Sequence, residues 1–332
     1  MNLIRKPIYP DDNLVCNNRN IHEYTPYIIT LEGNIIDQNW WNSLTDHCKN
    51  IICQRTNNNF KLGDVTIPHD FQFDNETKFL TIMYKSYIDA FDYNIWWEHL
   101  AINNIKNSPT NVSMFQVSAD LKKLFVEIYD NNKPYSDLAD NPFLLEFRNN
   151  IATYINPGEQ YFIRMSSTSG KNEKYVKPFE SADEIVAHIA SVKLFVDQEF
   201  RRDNKDSYLI AMQWNENIDT RYEFRIFVVN NKLVAISQQN KYELYQYSSI
   251  ELDIIEHALN NISFLDSGPY PTYVGDVYVD METKICCLIE FNPFGVFSGA
   301  GAALFNWRDD YDILHGLTNM PPEFRYLSII NY

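Results

Sequence analysis

The sequence predicts a mixed α+β fold with largely antiparallel sheets. Three observations predict it: runs of alternating polar and apolar residues that meet across short turns, Ser-x-x-Glu signatures that open segments of helical periodicity, and their order of strand, helix, hairpin, helix, hairpin. All three lie beyond residue 160.

Taken in order, YFIRM (161–165) reads as a short strand and SSTSGK (166–171) as a small-residue loop. Ser181 and Glu184 have capping-box spacing, and Ile185, Val186, Ile189, Val192, Phe195 and Val196 follow at helical spacing. SYLIAMQW (207–214) and YEFRIFVV (222–229) read as strands. Asn230-Asn231 predicts a two-residue hairpin turn into KLVAISQ (232–238), because asparagine tolerates positive φ. Ser248 and Glu251 form a second capping box and open a helix through Ala258. TYVGDVYVD and KICCLIEFN, joined through DMETK, make the last hairpin.

Residues 1 to 140 show aromatic clusters, Trp40-Trp41 and Trp96-Trp97, between Asn-rich connections, and no repeat. The Trp pairs read as core packing, since large aromatics dominate buried area. The polar, proline-bearing stretch DNNKPYSDLADNP predicts a domain boundary.

At 332 residues and 45% hydrophobic content, the chain can bury a large core, and its length suggests about two domains. No apolar run reaches the roughly 18 residues of a bilayer span. MNLIRKPIYPDDN has a basic pair without an apolar stretch behind it, so a secretory signal is not expected. Five cysteines without metal-ligand spacing, two of them the adjacent Cys286-Cys287, argue for reduced thiols and a cytosolic setting. A formal charge of −16 disfavours a broad nucleic-acid surface.

In the last hairpin Asp276 lies on the first strand, with Glu290 and Asn292 on the second. Glu290 and Asn292 are two apart and share a strand face. Pairing around the turn brings Asp276 opposite that strand's end, so two carboxylates and an amide carbonyl converge. Such a cluster repels internally unless a hard cation sits within it, and Mg2+ with phosphate oxygens satisfies that requirement. The alternative is a set of solvated polar positions at strand ends. Upstream, EFRIF sets Glu223 and Arg225 on one strand face, which alone fits a structural ion-paired strand.

In sequence order, these features resemble the ATP-grasp superfamily and, within it, the cell division cycle 123 family. EFRIFVVNNKLVAISQ is similar to that family's EFRCFV…KLIAISQ, and GDVYVD…CCLIEFNPFG to its D-[IV]-Y-x-D…WLIDFNPFG, over about residues 160–310. The resemblance implies an ATP-grasp fold binding ATP and Mg2+. It divides the chain into an N-terminal region to residue 140, a small subdomain with the nucleotide hinge over 141–214, and a metal- and phosphate-binding subdomain over 215–332. It further implies that Arg164 and Lys171 reach the phosphates and that Met212, Gln213 and Trp214 line the adenine. Arg225 would face the phosphates, Glu223 would orient it or meet the ribose, and Asp276, Glu290 and Asn292 would hold the metal. Catalytic charge would come from Arg225 and Lys171.

Several positions depart from the family pattern. Arg164 stands where many members have a lysine, and Met212-Gln213 replaces an Arg-Lys pair, removing two positive charges. Gly170 and Asn172 replace a proline and an aspartate, and VFSGAGAALFNW is longer by two. Two functions follow from the resemblance. The first is an ATP-dependent ligase that activates a carboxylate by phosphoryl transfer, its acceptor a small molecule or a protein. That chemistry needs positioning and charge neutralisation rather than a protein nucleophile, and His188 accordingly reads as a surface or half-buried residue. The second is a non-catalytic, ATP-dependent assembly chaperone for translation initiation factor 2, acting on its γ subunit.

Overall fold

The computed structural model describes residues 3–8, 91–103, 105–107, 109, 111–135, 140–169, 178–201, 206–216, 218–295, 300–307 and 309–328, with the backbone of 34–37 and 60–63. Trp40-Trp41 and Lys171 lie outside them. Along the chain run β1 (Ile4–Ile8), β2 (Asn34–Asp37), β3 (Phe60–Gly63), α1 (Tyr93–Ile102), β4 (Val112–Val117), α2 (Ala119–Asp130), α3 (Pro142–Ala152) and β5 (Tyr161–Met165). They are followed by α4 (Ala182–Ser191), β6 (Ser207–Gln213), β7 (Glu223–Val229), β8 (Lys232–Gln238), α5 (Ser249–Asn260), β9 (Tyr273–Asp280), β10 (Ile285–Asn292), α6 (Tyr311–Leu314) and β11 (Glu323–Leu327). The chain divides into two compact units, the first Met1–Phe91 with Thr220–Tyr332 and the second Asp92–Asp219.

The second unit is built on an antiparallel sheet of order β4-β6-β5. One face buries Phe115, Val117, Ile163, Met165, Leu209 and Ala211 against apolar side chains of α2, α3 and α4. Each helix has a local reason to start where it does. Ser118 and Ser181 accept hydrogen bonds from the backbone N–H groups of Leu121 and Glu184, and Asn141 caps α3 ahead of Pro142. The Ser181 box is only half formed, because Glu184 accepts from the N–H of Glu180 at 3.2 Å. The helical spacing expected to run on to Val196 breaks at Val192, which is extended (φ −85°, ψ 109°); Lys193–Phe195 then form a short α-helical turn that runs into a π-helical turn, Val196–Phe200. His188 is half-buried, its ring 4.9 Å from that of Phe179.

The boundary expected near residue 140 is corrected. β4 and α2 precede that point yet belong to the second unit, because β4 pairs with β6 along its whole length.

The first unit carries a six-stranded sheet of order β1-β11-β8-β7-β9-β10. Pairs among β7, β8, β9 and β10 are antiparallel, while β1 and β11 join in parallel. The turn from β7 to β8 is the predicted one, with Asn230 and Asn231 at φ 51° and 59°. Helix α5 opens on the full capping box of Ser248 and Glu251 and buries Leu252, Ile255, Ala258 and Leu259. It packs on β9 and β10. Arg5 of β1 donates to Asp253 at 2.7 Å and Glu256 at 2.8 Å on the same helix. Gly275 permits close strand packing, since a Cβ there would meet Ile226 Cγ1 at 2.9 Å. No helix among the described residues is long and apolar enough to cross a membrane.

Candidate functional site

Register concentrates the polar residues of the first unit on one line. Arg325 of β11 is level with Ser237 of β8, Ser237 with Arg225 of β7, Arg225 with Asp276 of β9, and Asp276 with Glu290 of β10. Residues level across a sheet project from the same face, so the row crosses five strands on the face opposite α5. Beside it, Phe227, Ala235 and Val274, each two positions from a member of the row, pack with Phe294, Phe305 and Trp307. Their burial, worth about 1.5–3 kcal/mol for each large apolar side chain, anchors the row.

Glu290 reaches this face through a bulge. Leu288 opposes Val277, but Glu290 opposes Asp276, so Ile289 is an extra residue in β10. Before it, the buried side chains are Cys286 and Leu288; after it, Phe291. That switch of parity turns Glu290 and Asn292 away from α5 and towards Asp276, a common use of bulges beside sites. The predicted convergence of Asp276, Glu290 and Asn292 is therefore present. Asn292 Nδ2 lies 3.4 Å from both Asp276 Oδ2 and Glu290 Oε1.

Arg225 is the centre of the cluster. Its Nε and Nη2 donate to the two oxygens of Asp276 at 2.8 and 2.7 Å, and Nη1 donates to the Gly301 carbonyl at 3.2 Å. Both side chains are buried, with Arg225 9% and Asp276 5% exposed. Burial pulls the Arg225 guanidinium down, but the charge and hydrogen bonds of Asp276, followed by the charge of Glu290, raise it above its ordinary value. The carboxylate that orients Arg225 is thus Asp276, while Glu223 lies two residues earlier on the same strand face, opposite Tyr278. The oxygens of Asp276, Glu290 and Asn292 are hard donors that suit Mg2+ completed by water or phosphate. Among the described residues no three His, Cys, Asp or Glu side chains gather as metal ligands, so the third oxygen here is an amide's.

The other end of the row is closed by the segment 300–307. Gly301, at φ +70°, turns its carbonyl to Arg225, and the Leu304 N–H donates to Ser237 Oγ at 3.0 Å. Arg325 donates to the Leu304 carbonyl at 3.2 Å, pairs with both oxygens of Asp310 at 2.6 and 2.7 Å, and lies 3.9 Å above the Phe305 ring. Sequence reasoning missed Ser237, Gly301 and Arg325. A signal for Arg325 existed: Glu-Phe-Arg occurs at 223–225 and again at 323–325, and the fold sets both arginines in one row.

The remaining predicted residues belong to the second unit. Arg164 and Met212 share a face of the β5–β6 pair, because Met212 is level with Phe162, two residues before Arg164. Gln213 projects from the opposite face, where its Oε1 accepts from Asn111 Nδ2 at 3.2 Å. Trp214 follows the strand, its backbone N–H donating to Gln160 at 2.7 Å. Strand alternation thus separates Gln213 from Met212, two of the residues expected to line one adenine.

Comparison with known proteins bears on the fold and on the segment that holds this row. Residues 175–331 match the D123 family model. A CDC123-like protein of Acanthamoeba polyphaga mimivirus is 28% identical over 246 residues, covering 69% of this chain and 73% of its own. The translation initiation factor eIF2 assembly protein of Danio rerio is 32% identical over 136 residues, covering 40% of this chain and 37% of its own, so the chain spans well under half of that relative. Cdc123 from Schizosaccharomyces pombe shares the fold, with a TM-score of 0.55 at 18% identity over 73% of this chain and 96% of that one. The matched segment, residues 175–331, contains the row from Arg225 to Arg325, and over it the chain is similar to the D123, or cell division cycle 123, family and shares the Cdc123 fold.

Proposed function

We propose that the chain binds ATP with a divalent cation at the Arg225 row and uses it to promote assembly of a translation initiation factor of the eIF2 type. The convergence of Arg225, Asp276, Glu290 and Asn292 on one sheet face carries the nucleotide half. The partner half is supported by relatives in Danio rerio and Candida albicans that are named eIF2 assembly proteins. Those names favour assembly over the carboxylate-activating ligase that the sequence suggested first.

Arg225 has five N–H groups and uses three on Asp276 and Gly301, leaving two for phosphate oxygens. The guanidinium stays charged at any working pH, and its partners hold it still. Glu290, Asn292 and Asp276 would hold Mg2+, the Asn292 amide turning its oxygen inward; the ion would screen phosphate charge. Arg164, Met212, Trp214 and Glu223 are assigned to the nucleotide on the family resemblance alone, as is Lys171.

Titration calorimetry with ATP and Mg2+, combined with capture of the eIF2 γ subunit, tests the reading. Binding should stabilise the protein by about 2.7 kcal/mol at a hundredfold excess over Kd, and ATP should strengthen γ-subunit capture. Absence of heat and of any melting shift with ATP would end the nucleotide half. ADP release that depends on a carboxylate and an amine would restore the ligase.

A further inference from the structure

We infer that Tyr93, the first residue of α1, is a positioning residue of the nucleotide site, fixing Arg164 and Met212 against each other. The inference rests on the ATP reading above. Tyr93 makes three contacts with this face of the sheet. The Arg164 guanidinium lies 5.1 Å from its ring centre, its hydroxyl donates to Met212 Sδ at 3.0 Å, and its backbone N–H donates to the Ser166 carbonyl at 2.8 Å. One residue thus touches β5, the turn leaving β5, and β6.

The ring cannot swing away. Tyr93 is 0% exposed, and Trp96, one turn later and 1% exposed, tilts against it at 4.2 Å. Each contact needs a different part of the side chain. The ring face attracts the guanidinium through its quadrupole, whereas only the hydroxyl reaches the sulfur. Phenylalanine would keep the first contact and leucine neither. Under the ATP reading the two side chains it touches serve opposite ends of one ligand, Arg164 the phosphates and Met212 the adenine. A single buried ring therefore sets the distance between the two subsites. Tyr93 precedes the residues matched by the family and lies where the sequence offered no motif, so this gives α1 a place in the site.

ATP and adenosine affinities of the full chain, measured by calorimetry on Tyr93→Phe and Tyr93→Leu, test it. Tyr93→Phe should weaken both ligands alike, by about threefold, the worth of a weak neutral hydrogen bond. Tyr93→Leu should weaken ATP by about a further tenfold, the scale of a desolvated cation–π contact, and leave adenosine at the level of the Phe variant. A residue that merely fills the core would lower the melting temperature and leave the ATP-to-adenosine ratio unchanged in both variants, which would overturn the inference. If Tyr93→Leu does not fold, the folded Phe variant decides: adenosine affinity equal to that of the unaltered chain overturns it. Failure of the unaltered chain to bind ATP or adenosine would remove the ATP reading and this inference together, whereas normal binding with unmoved ratios would remove only the inference.

Discussion

Asp276 in the first unit and Glu199 in the second are both buried carboxylates held by opposite means. Asp276 faces Arg225, a bidentate cation on the neighbouring strand. Glu199 is 0% exposed and accepts from neutral groups: the Ser167 N–H at 2.8 Å, the Ser167 hydroxyl at 2.5 Å and the Ser207 hydroxyl at 2.8 Å. It lies in the π-helical turn Val196–Phe200, an irregularity often kept at functional positions. The difference shows two ways to hold a charge out of water. A cross-strand ion pair follows from register and lies in the candidate site, whereas a cage of small donors ties a loop, a turn and a strand together with no ion pair to Glu199 among the described residues.

The largest expected effect comes from splitting the ion pair. Asp276→Ala leaves the Arg225 guanidinium buried without its partner and should cost about 3–5 kcal/mol in urea unfolding. Replacing both, as Arg225→Met with Asp276→Leu, should recover most of that loss because no charge remains buried. Equal losses in the single and double variants would show that shape rather than charge holds these strands.

Next in size is the neutral cage. Glu199→Ala leaves the Ser167 N–H and both hydroxyls seeking acceptors, an expected cost of about 1–3 kcal/mol. Glu199→Gln should cost less than half as much, since its amide oxygen still accepts from Ser167 and the Ser207 hydroxyl can turn to accept from its amide N–H. If Gln is as damaging as Ala, the negative charge itself matters and the contrast with Asp276 collapses.

These two carboxylates also mark what the sequence could and could not tell. The pairing of Arg225 with Asp276 depends on strand neighbours distant in sequence, but the shared face of Glu290 and Asn292, the Asn230-Asn231 turn and the Ser248 cap were readable from local chemistry. The bulge at Ile289 was not, because ICCLI is apolar throughout and hides the change of parity that aims Glu290. Nor was the break at Val192, where helical spacing of apolar residues continues across an extended residue. The edge strand β1 and the pairing of β11 between β1 and β8 depend on partners more than 80 residues away in sequence, so no local pattern announces them. Glu199 and Tyr93 act through contacts set by tertiary structure. Single residues of ordinary type leave no periodic trace.

The smallest expected effect concerns Glu251, which carries the comparison to the protein surface. Like Glu199 it accepts from neutral donors, the Tyr222 hydroxyl at 2.6 Å and the Ser248 N–H at 2.7 Å, but its side chain is partly exposed and Arg221 stands 4.0 Å away. The Tyr222 hydrogen bond first, then those of the Ser248 cap, lower its carboxyl from the usual 4.5 to about 2. A carboxyl whose pKa falls on folding adds stability above its unfolded value and loses it as pH drops through the folded one. The contribution should therefore be complete above about pH 4.5 and fade towards pH 2. Melting temperatures of Glu251→Gln and the unaltered protein should differ at pH 7, by an amount fitting about 0.5–1 kcal/mol for a cap, and converge at pH 2. Tyr222→Phe removes the leading cause and raises the folded-state pKa, so its loss of stability on acidification should still begin near pH 4.5 but be smaller and finish at a higher pH. Parallel melting curves across that range would mean that these donors hold the carboxyl no better than water does.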